Sequence, residues 1–158
     1  MRKIQIISIE DKETIREYFY DYLKELSEFD PTIKFDNNGT PIYNWFDYYW
    51  IDKDRYPFLL SIDNKFAGFA LLREVGIKQY EIAEFYVIPK YRKDNNAIWF
   101  ATQITNSFES KFVFSTRVEN TRAIRFWDKF VTHFEYKHSF IEESYKTWEI
   151  KTNQNTEF

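Results

Sequence analysis

The chain has 158 residues, which suits one domain with its own core. Apolar residues make up 44% and there is no cysteine, so disorder, disulfides, thiolate catalysis and Cys-based zinc sites are set aside. The formal net charge of −3 implies no general attraction to nucleic acid or anionic lipid, and no apolar run approaches the roughly 18 residues of a membrane helix.

The N-terminal stretch KIQIISI, Lys3 to Ile9, is a short β-type run. It turns acidic before an apolar segment of signal-peptide length forms, so a soluble, cytoplasmic protein is expected. From Asp11, the residues Ile15, Phe19, Tyr22, Leu23 and Leu26 recur at helical spacing. Asp30-Pro31 and Asn38-Gly39 mark a loop, and IYNWFDYYWI after it predicts a second short helix. YPFLLSID and FAGFALLREV read as antiparallel strands about a turn at Asn64-Lys65. Gly76 allows another reversal into YEIAEFYVI, which ends at Pro89. DNNAIWFATQITNSF predicts a helix, KFVFSTRV a strand, and ENTRAIRFWDKFV a helix with Ala123, Phe126, Trp127 and Phe130 on one face. HFEYKHSFIEE and SYKTWEIK finish as a hairpin. His133 and His138 are expected to face opposite sides of a strand there, which argues against a shared metal. The order β-α-α-β-β-β-α-β-α-β-β implies an α+β domain with a mixed sheet over residues 1–151, followed by a polar tail at 152–158.

One junction carries chemistry. In YRKDNNAIWF, Tyr91 to Phe100, a strand runs through a short loop into a helix. The first-turn amides of a helix are unpaired and its dipole makes that end positive, so a pyrophosphate can sit there. Lys90, Arg92 and Lys93 add local positive charge, although three basic residues can equally form a solvated loop. The loop has no glycine; Asn95 is the residue type that best tolerates the left-handed region in its place. Trp99 is read three ways, as a stack for an adenine, a dimer contact or core packing.

AEFYVIPKYRKDNNA resembles the acyl-CoA-binding motif of the GNAT N-acetyltransferase superfamily, a strand ending in Val-x-Pro, then Tyr-Arg, then Arg/Gln-x-x-Gly-x-Gly/Ala opening a helix. Val87, Pro89, Tyr91, Arg92 and Ala97 match, and Asn95 stands at the first glycine. NTRAIRFWDKF resembles the second motif, Asn-x-x-Ala-x-x-Phe-Tyr-x-Lys, through Asn120, Ala123, Phe126 and Lys129; Trp127 replaces the tyrosine. Together they cover about a third of the chain. Landmarks of the type YPFL, AGF, AEF and FW are also similar to a narrower, poorly characterised branch of acetyltransferases.

The resemblance implies a GNAT-like, mostly antiparallel mixed sheet flanked by helices. It implies acetyl transfer from acetyl-CoA to a primary amine, of a small molecule or a protein, by direct attack and without a metal. It places the backbone of Val87 and Ile88 beside the thioester and pantetheine. It places the pyrophosphate on Arg92, Lys93, Asp94, Asn95, Asn96 and Ala97, with Asn120 and Phe126 also at the cofactor. A carboxylate or a water takes the proton of the amine. Glu81 and Glu84 are the candidates, and three positions apart on a regular strand they face opposite sides. Glu84 is preferred because Ala83 and Phe85 flank it, and an apolar site raises a carboxyl pKa. Either carboxylate can equally be a solvated or salt-bridged strand residue. Asn120 can cap a helix, bind pantetheine, or both. Trp127 cannot supply the proton that the family tyrosine gives the thiolate; Tyr91, Tyr136 or a water would substitute, or the thiolate leaves unaided. Asp36, Asp47, Asp52 and Asp54 among many rings suit a cationic acceptor, or simply a solvated aromatic helix. The alternatives to an enzyme are a non-catalytic CoA-binding or regulatory module on this fold, and a structural protein that dimerises through aromatic surfaces.

Overall fold

Alternating β-branched and aromatic runs joined by tight turns give the chain its sheet, and two helical crossovers cover one face of it. The computed structural model describes residues 1–152. Its strands are β1 (Arg2–Ile6), β2 (Arg55–Ile62), β3 (Lys65–Gly76), β4 (Gln79–Val87), β5 (Lys111–Arg117), β6 (Lys137–Glu142) and β7 (Tyr145–Lys151). The helices are α1 (Lys12–Leu26), α2 (Asn96–Asn106) and α3 (Thr121–Val131). The seven strands form one sheet in the order β1-β2-β3-β4-β5-β7-β6. All neighbours are antiparallel except β4 and β5.

Each face of the sheet has its own core. On one face α1 packs Ile15, Phe19, Tyr22 and Leu23 against Leu59, Phe69, Leu71 and Tyr86. On the other, Phe100, Ala101 and Ile104 of α2 and Trp127 and Phe130 of α3 pack on Leu60, Leu72, Phe112, Phe114 and Trp148. The helical stripe in α3 thus buries as its spacing predicts. Gly68 on β3 faces β4 so closely that a Cβ there would lie 2.3 Å from the Tyr86 carbonyl oxygen.

Three expectations change. The second helix is only a 3-10 turn at Phe46–Trp50. Its rings are spent on tertiary contacts, Phe46 with Phe19 and the Trp50 indole with the Ile7 carbonyl, rather than on a regular stripe. His133 follows α3 in a turn, so only His138 lies on a strand. Thr152, placed in the tail by its polarity, is buried; its hydroxyl donates to the Phe108 carbonyl at 2.6 Å and accepts from the Ser110 amide. The remainder of the expected tail, 153–158, lies outside the described residues.

Candidate active site

The parallel pairing of β4 and β5 is short. It runs from Gln79–Lys111 to Glu81–Val113, and beyond that the strands part. The opening faces two clefts. One, of about 450 Å³, is lined by Phe85 to Val87, the loop from Arg92 to Ile98, and Asn120, Ala123, Phe126 and Trp127. The other, of about 420 Å³, lies under the loop after α1 and is lined by Glu84, Arg117, Tyr43 and Trp45. Tyr22, Leu26 and Asn120 border both, so the clefts meet at the strand opening.

The backbone of β4 explains what faces that opening. The Ile88 amide donates to the Ala67 carbonyl on β3 at 2.8 Å. In an antiparallel ladder the direction alternates, so the N–H groups of Phe85 and Val87 point the other way, across the opening. Phe85 N–H meets the Tyr22 hydroxyl. The Val87 carbonyl accepts from Arg92 Nε at 2.8 Å, and its N–H points into the opening beyond the β4–β5 pairing. The Ile88 amide is thus spent within the sheet, and of the N–H groups facing the opening Phe85 meets Tyr22 while Val87 faces the cleft.

Asn95 occupies the left-handed region at φ 58°, and Asp94 precedes it at φ 56°. This is the conformation for which glycine is the usual choice, reached here by two residue types that tolerate it. The Arg92 amide is spent on Pro89 and the Asn96 amide on Lys93. The amides of Lys93, Asp94, Asn95, Ala97 and Ile98 make no bond within the described residues, and these residues line the larger cleft. Asn96 has a different task from the one expected. Its buried side chain donates to the Tyr91 carbonyl at 3.0 Å and accepts from Arg2. Arg2 also donates to the Asp94 carbonyl at 3.2 Å and lies over the Trp99 ring. Trp99 thus packs behind the loop, half-buried, rather than standing free. No local signal in β1 links Arg2 to a loop more than ninety residues away.

Arg92 lines the cleft but is not a free cation. Its guanidinium is paired with Glu25 at 2.9 Å, and Arg122 pairs with the same carboxylate. Lys93 is exposed at the cleft edge. Asn120 caps α3, its Oδ1 accepting from the Ala123 amide at 3.2 Å, which turns its amide nitrogen away from the helix start. Phe126 is half-buried against Phe85, and Trp127 packs against Phe85 and Phe114.

The carboxylates meet where a regular strand would separate them. Leu71 pairs with Glu84 but Leu72 pairs with Ile82, so Ala83 is an extra residue in β4. This bulge turns Glu84 onto the face that Glu81 already occupies. Both line a third cleft of about 280 Å³ with Arg55 and Arg73. Glu81 is paired there with Arg73 at 3.1 Å. Glu84 borders the second cleft as well and is half-buried. Burial raises its pKa to about 7; the hydrogen bonds from Tyr22 and Tyr43 oppose the rise and the charge of Glu81 adds to it. The Tyr22 hydroxyl donates to Glu84 Oε2. Burial, and then the Glu84 charge, lifts the Tyr22 phenol well above its ordinary value.

Tyr22 carries no motif. Its only signal is a phenol on the buried stripe of α1, since a buried hydroxyl needs a partner. Neither Tyr91 nor Tyr136 lines these clefts. Of the expected acceptor-side acids, Asp47 pairs with Lys12 and Arg16, Asp52 with Arg55, and Asp36 accepts from the Asn38 and Thr40 amides. Asp30 lines the cleft instead, its Oδ1 taken by the Thr32 amide and hydroxyl. Among the described residues no group of three His, Asp or Glu side chains is placed to hold a metal, and no helix is long and apolar enough to cross a membrane.

Residues 15–131 match the model of the acetyltransferase (GNAT) family. No curated protein matches the sequence. Among solved structures, an acetyltransferase from Thermus thermophilus superposes with a TM-score of 0.72 at 7% identity, over 96% of this chain and 97% of that one. The PaiA N-acetyltransferase of Thermoplasma acidophilum, in complex with coenzyme A, gives 0.65 at 16% identity, over 96% and 99%. The ribosomal-protein-S18-alanine N-acetyltransferase of Escherichia coli gives 0.64 at 13% identity, over the full length of both. At such identities these likenesses speak for the fold.

Proposed function

The chain belongs to the acetyltransferase (GNAT) family, and from that premise we propose that it moves an acetyl group from acetyl-CoA to a primary amine by direct attack. One observation carries the proposal. Glu84, with a pKa of about 7, lines a cleft of substrate size and accepts from the Tyr22 hydroxyl, and Tyr22 borders both that cleft and the one suited to a pyrophosphate.

Acetyl-CoA fits the larger cleft. Its pyrophosphate would lie on the open amides of the loop from Lys93 to Ile98, at the positive end of α2, with Lys93 beside it. Pantetheine would follow the apolar wall of Phe85, Ala123, Phe126 and Trp127 to the strand opening. The acetyl carbonyl oxygen would then meet the Val87 N–H, a donor held rigid by β4, which stabilises the negative charge that forms during attack.

The amine would enter from the second cleft. An alkylammonium is almost fully protonated at neutral pH and must lose a proton before it can attack. Glu84, ionised above about pH 7, is the acceptor for that proton. The nitrogen bonds the acetyl carbon, the carbon–sulfur bond breaks, and a second proton leaves as the amide forms. One of the two protons ends on the CoA sulfur and the other in solvent. A thiolate near pKa 8.5 leaves without a dedicated acid, which suits a site with Trp127 in place of a tyrosine. The Tyr22 hydroxyl, on Glu84 and at the opening, gives a path for the proton between the clefts.

A thermal-shift titration separates this from the alternatives. Acetyl-CoA should raise the melting temperature with a saturable dependence on concentration. Binding with no CoA release against any amine favours a CoA-binding module, and no binding removes both.

A further inference from the structure

The acceptor-side cleft holds one cation among its lining residues, Arg117 at the end of β5. Its side chain is 16% exposed. Its Nε is fully buried and has no hydrogen-bond acceptor. The nearest carboxylate, Glu119, lies 3.4 Å from Nε but out of line for a hydrogen bond, and is itself 52% exposed. Tyr145 packs its ring 5.3 Å from the guanidinium, and its hydroxyl accepts from it. The two parallel bonds that a carboxylate gives an arginine are therefore not made within the described residues. The buried Nε is the donor left over, and a carboxylate entering from the cleft would give it an acceptor.

The rest of the cleft says what else the partner carries. Phe29, Ile33, Ile42 and Trp45 give it apolar walls, and Asp30 is turned to Thr32. Glu84 lines it too. We propose that the acceptor is an α-amino acid with an apolar side chain, its carboxylate on Arg117 and its amine turned to Glu84. This rests on the acyl-transfer reading of the two clefts. A diamine offers Arg117 nothing and brings a second positive charge beside it. A peptide N-terminus lacks the adjacent carboxylate.

The test compares pairs that differ only in that carboxylate: L-leucine with isopentylamine, and L-phenylalanine with phenethylamine. Turnover with acetyl-CoA and thermal shifts of the CoA-loaded protein are both read. The amino acid should lead its amine by roughly tenfold to a hundredfold in kcat/KM, the range for hydrogen bonds to a charged group. Arg117→Gln should collapse that ratio through KM, Arg117→Lys should restore part of it, and the half-saturating acetyl-CoA concentration should not move. Equal or better use of the amines overturns the proposal, as does a ratio that survives Arg117→Gln. If the variants fail to fold, the wild-type ratio alone decides. If neither series shifts the CoA-loaded protein or becomes acetylated, the proposal is also overturned, while the acetyl-CoA shift keeps the reading of the cofactor cleft. Loss of the acetyl-CoA shift itself instead removes the reading on which the proposal stands.

Discussion

Replacing Glu84 with Gln should make the protein inactive and, at neutral to alkaline pH, more stable. The carboxyl is held near pKa 7 against an ordinary 4.5, chiefly by burial. At about 1.36 kcal/mol per pH unit, that rise corresponds to roughly 3 kcal/mol of cost for charging Glu84 in the folded state. This is an upper figure, because the clefts beside Glu84 admit water. The sign follows from linkage. Between pH 4.5 and about 7 the unfolded chain has released this proton and the folded chain has not, so rising pH lowers stability across that window. Gln does not titrate, and its carbonyl still accepts from Tyr22. The stability of Glu84→Gln relative to wild type should therefore grow by up to about 3 kcal/mol between about pH 5 and about pH 8. Urea melts at both pH values measure it. Over the same range wild-type kcat/KM should rise with an apparent pKa near 7, and the variant should lose that limb together with roughly a hundredfold to ten-thousandfold in rate. A variant that keeps both the limb and the rate would refute Glu84 as the base. A stability difference that is flat with pH would refute the raised pKa.

Other consequences are simpler to read. Asn95→Gly should keep or improve acetyl-CoA affinity, whereas Asn95→Val should lower stability by about 1–2 kcal/mol and weaken binding, because a β-branched residue resists the left-handed region; melts and calorimetric titrations check both. Glu25→Gln should release Arg92 and Arg122 toward the cleft and tighten acetyl-CoA binding at low salt, the gain shrinking as salt rises. Gly68→Ala should destabilise the protein by more than about 2 kcal/mol in a urea melt, since the added methyl meets the backbone oxygen of Tyr86.

The parts of this site that were legible in the sequence are those set by local rules. The helical stripes of α1 and α3 and the alternation of the central strands follow directly from side-chain spacing, and Gly39 marks its turn by residue type, while the turn expected at Asn64-Lys65 falls one residue earlier, at Asp63-Asn64. The loop before α2 was readable because Asn95 tolerates the φ that its place requires. The carboxylate geometry was not. A single extra residue at Ala83 reverses the face of Glu84, and whether a strand carries a bulge is decided by its partner β3, not by its own alternation. Long-range ties were equally silent: Arg2 behind the phosphate loop, Glu25 between two arginines, and Tyr22 on Glu84 join residues far apart in the chain. Rings such as Phe46 and Tyr49 looked like a helix face but are held by tertiary packing in a 3-10 turn.

Everything above turns on whether acetyl-CoA in the larger cleft gives its acetyl group to an amine beside Glu84. Mass spectrometry of the acceptor, run alongside thiol detection of released CoA, tests it most directly. Wild type should give an N-acetylated amine and free CoA in equal amounts, and Glu84→Gln neither above background. Equal product from both proteins, or wild type that binds acetyl-CoA and never acetylates an amine, would contradict it.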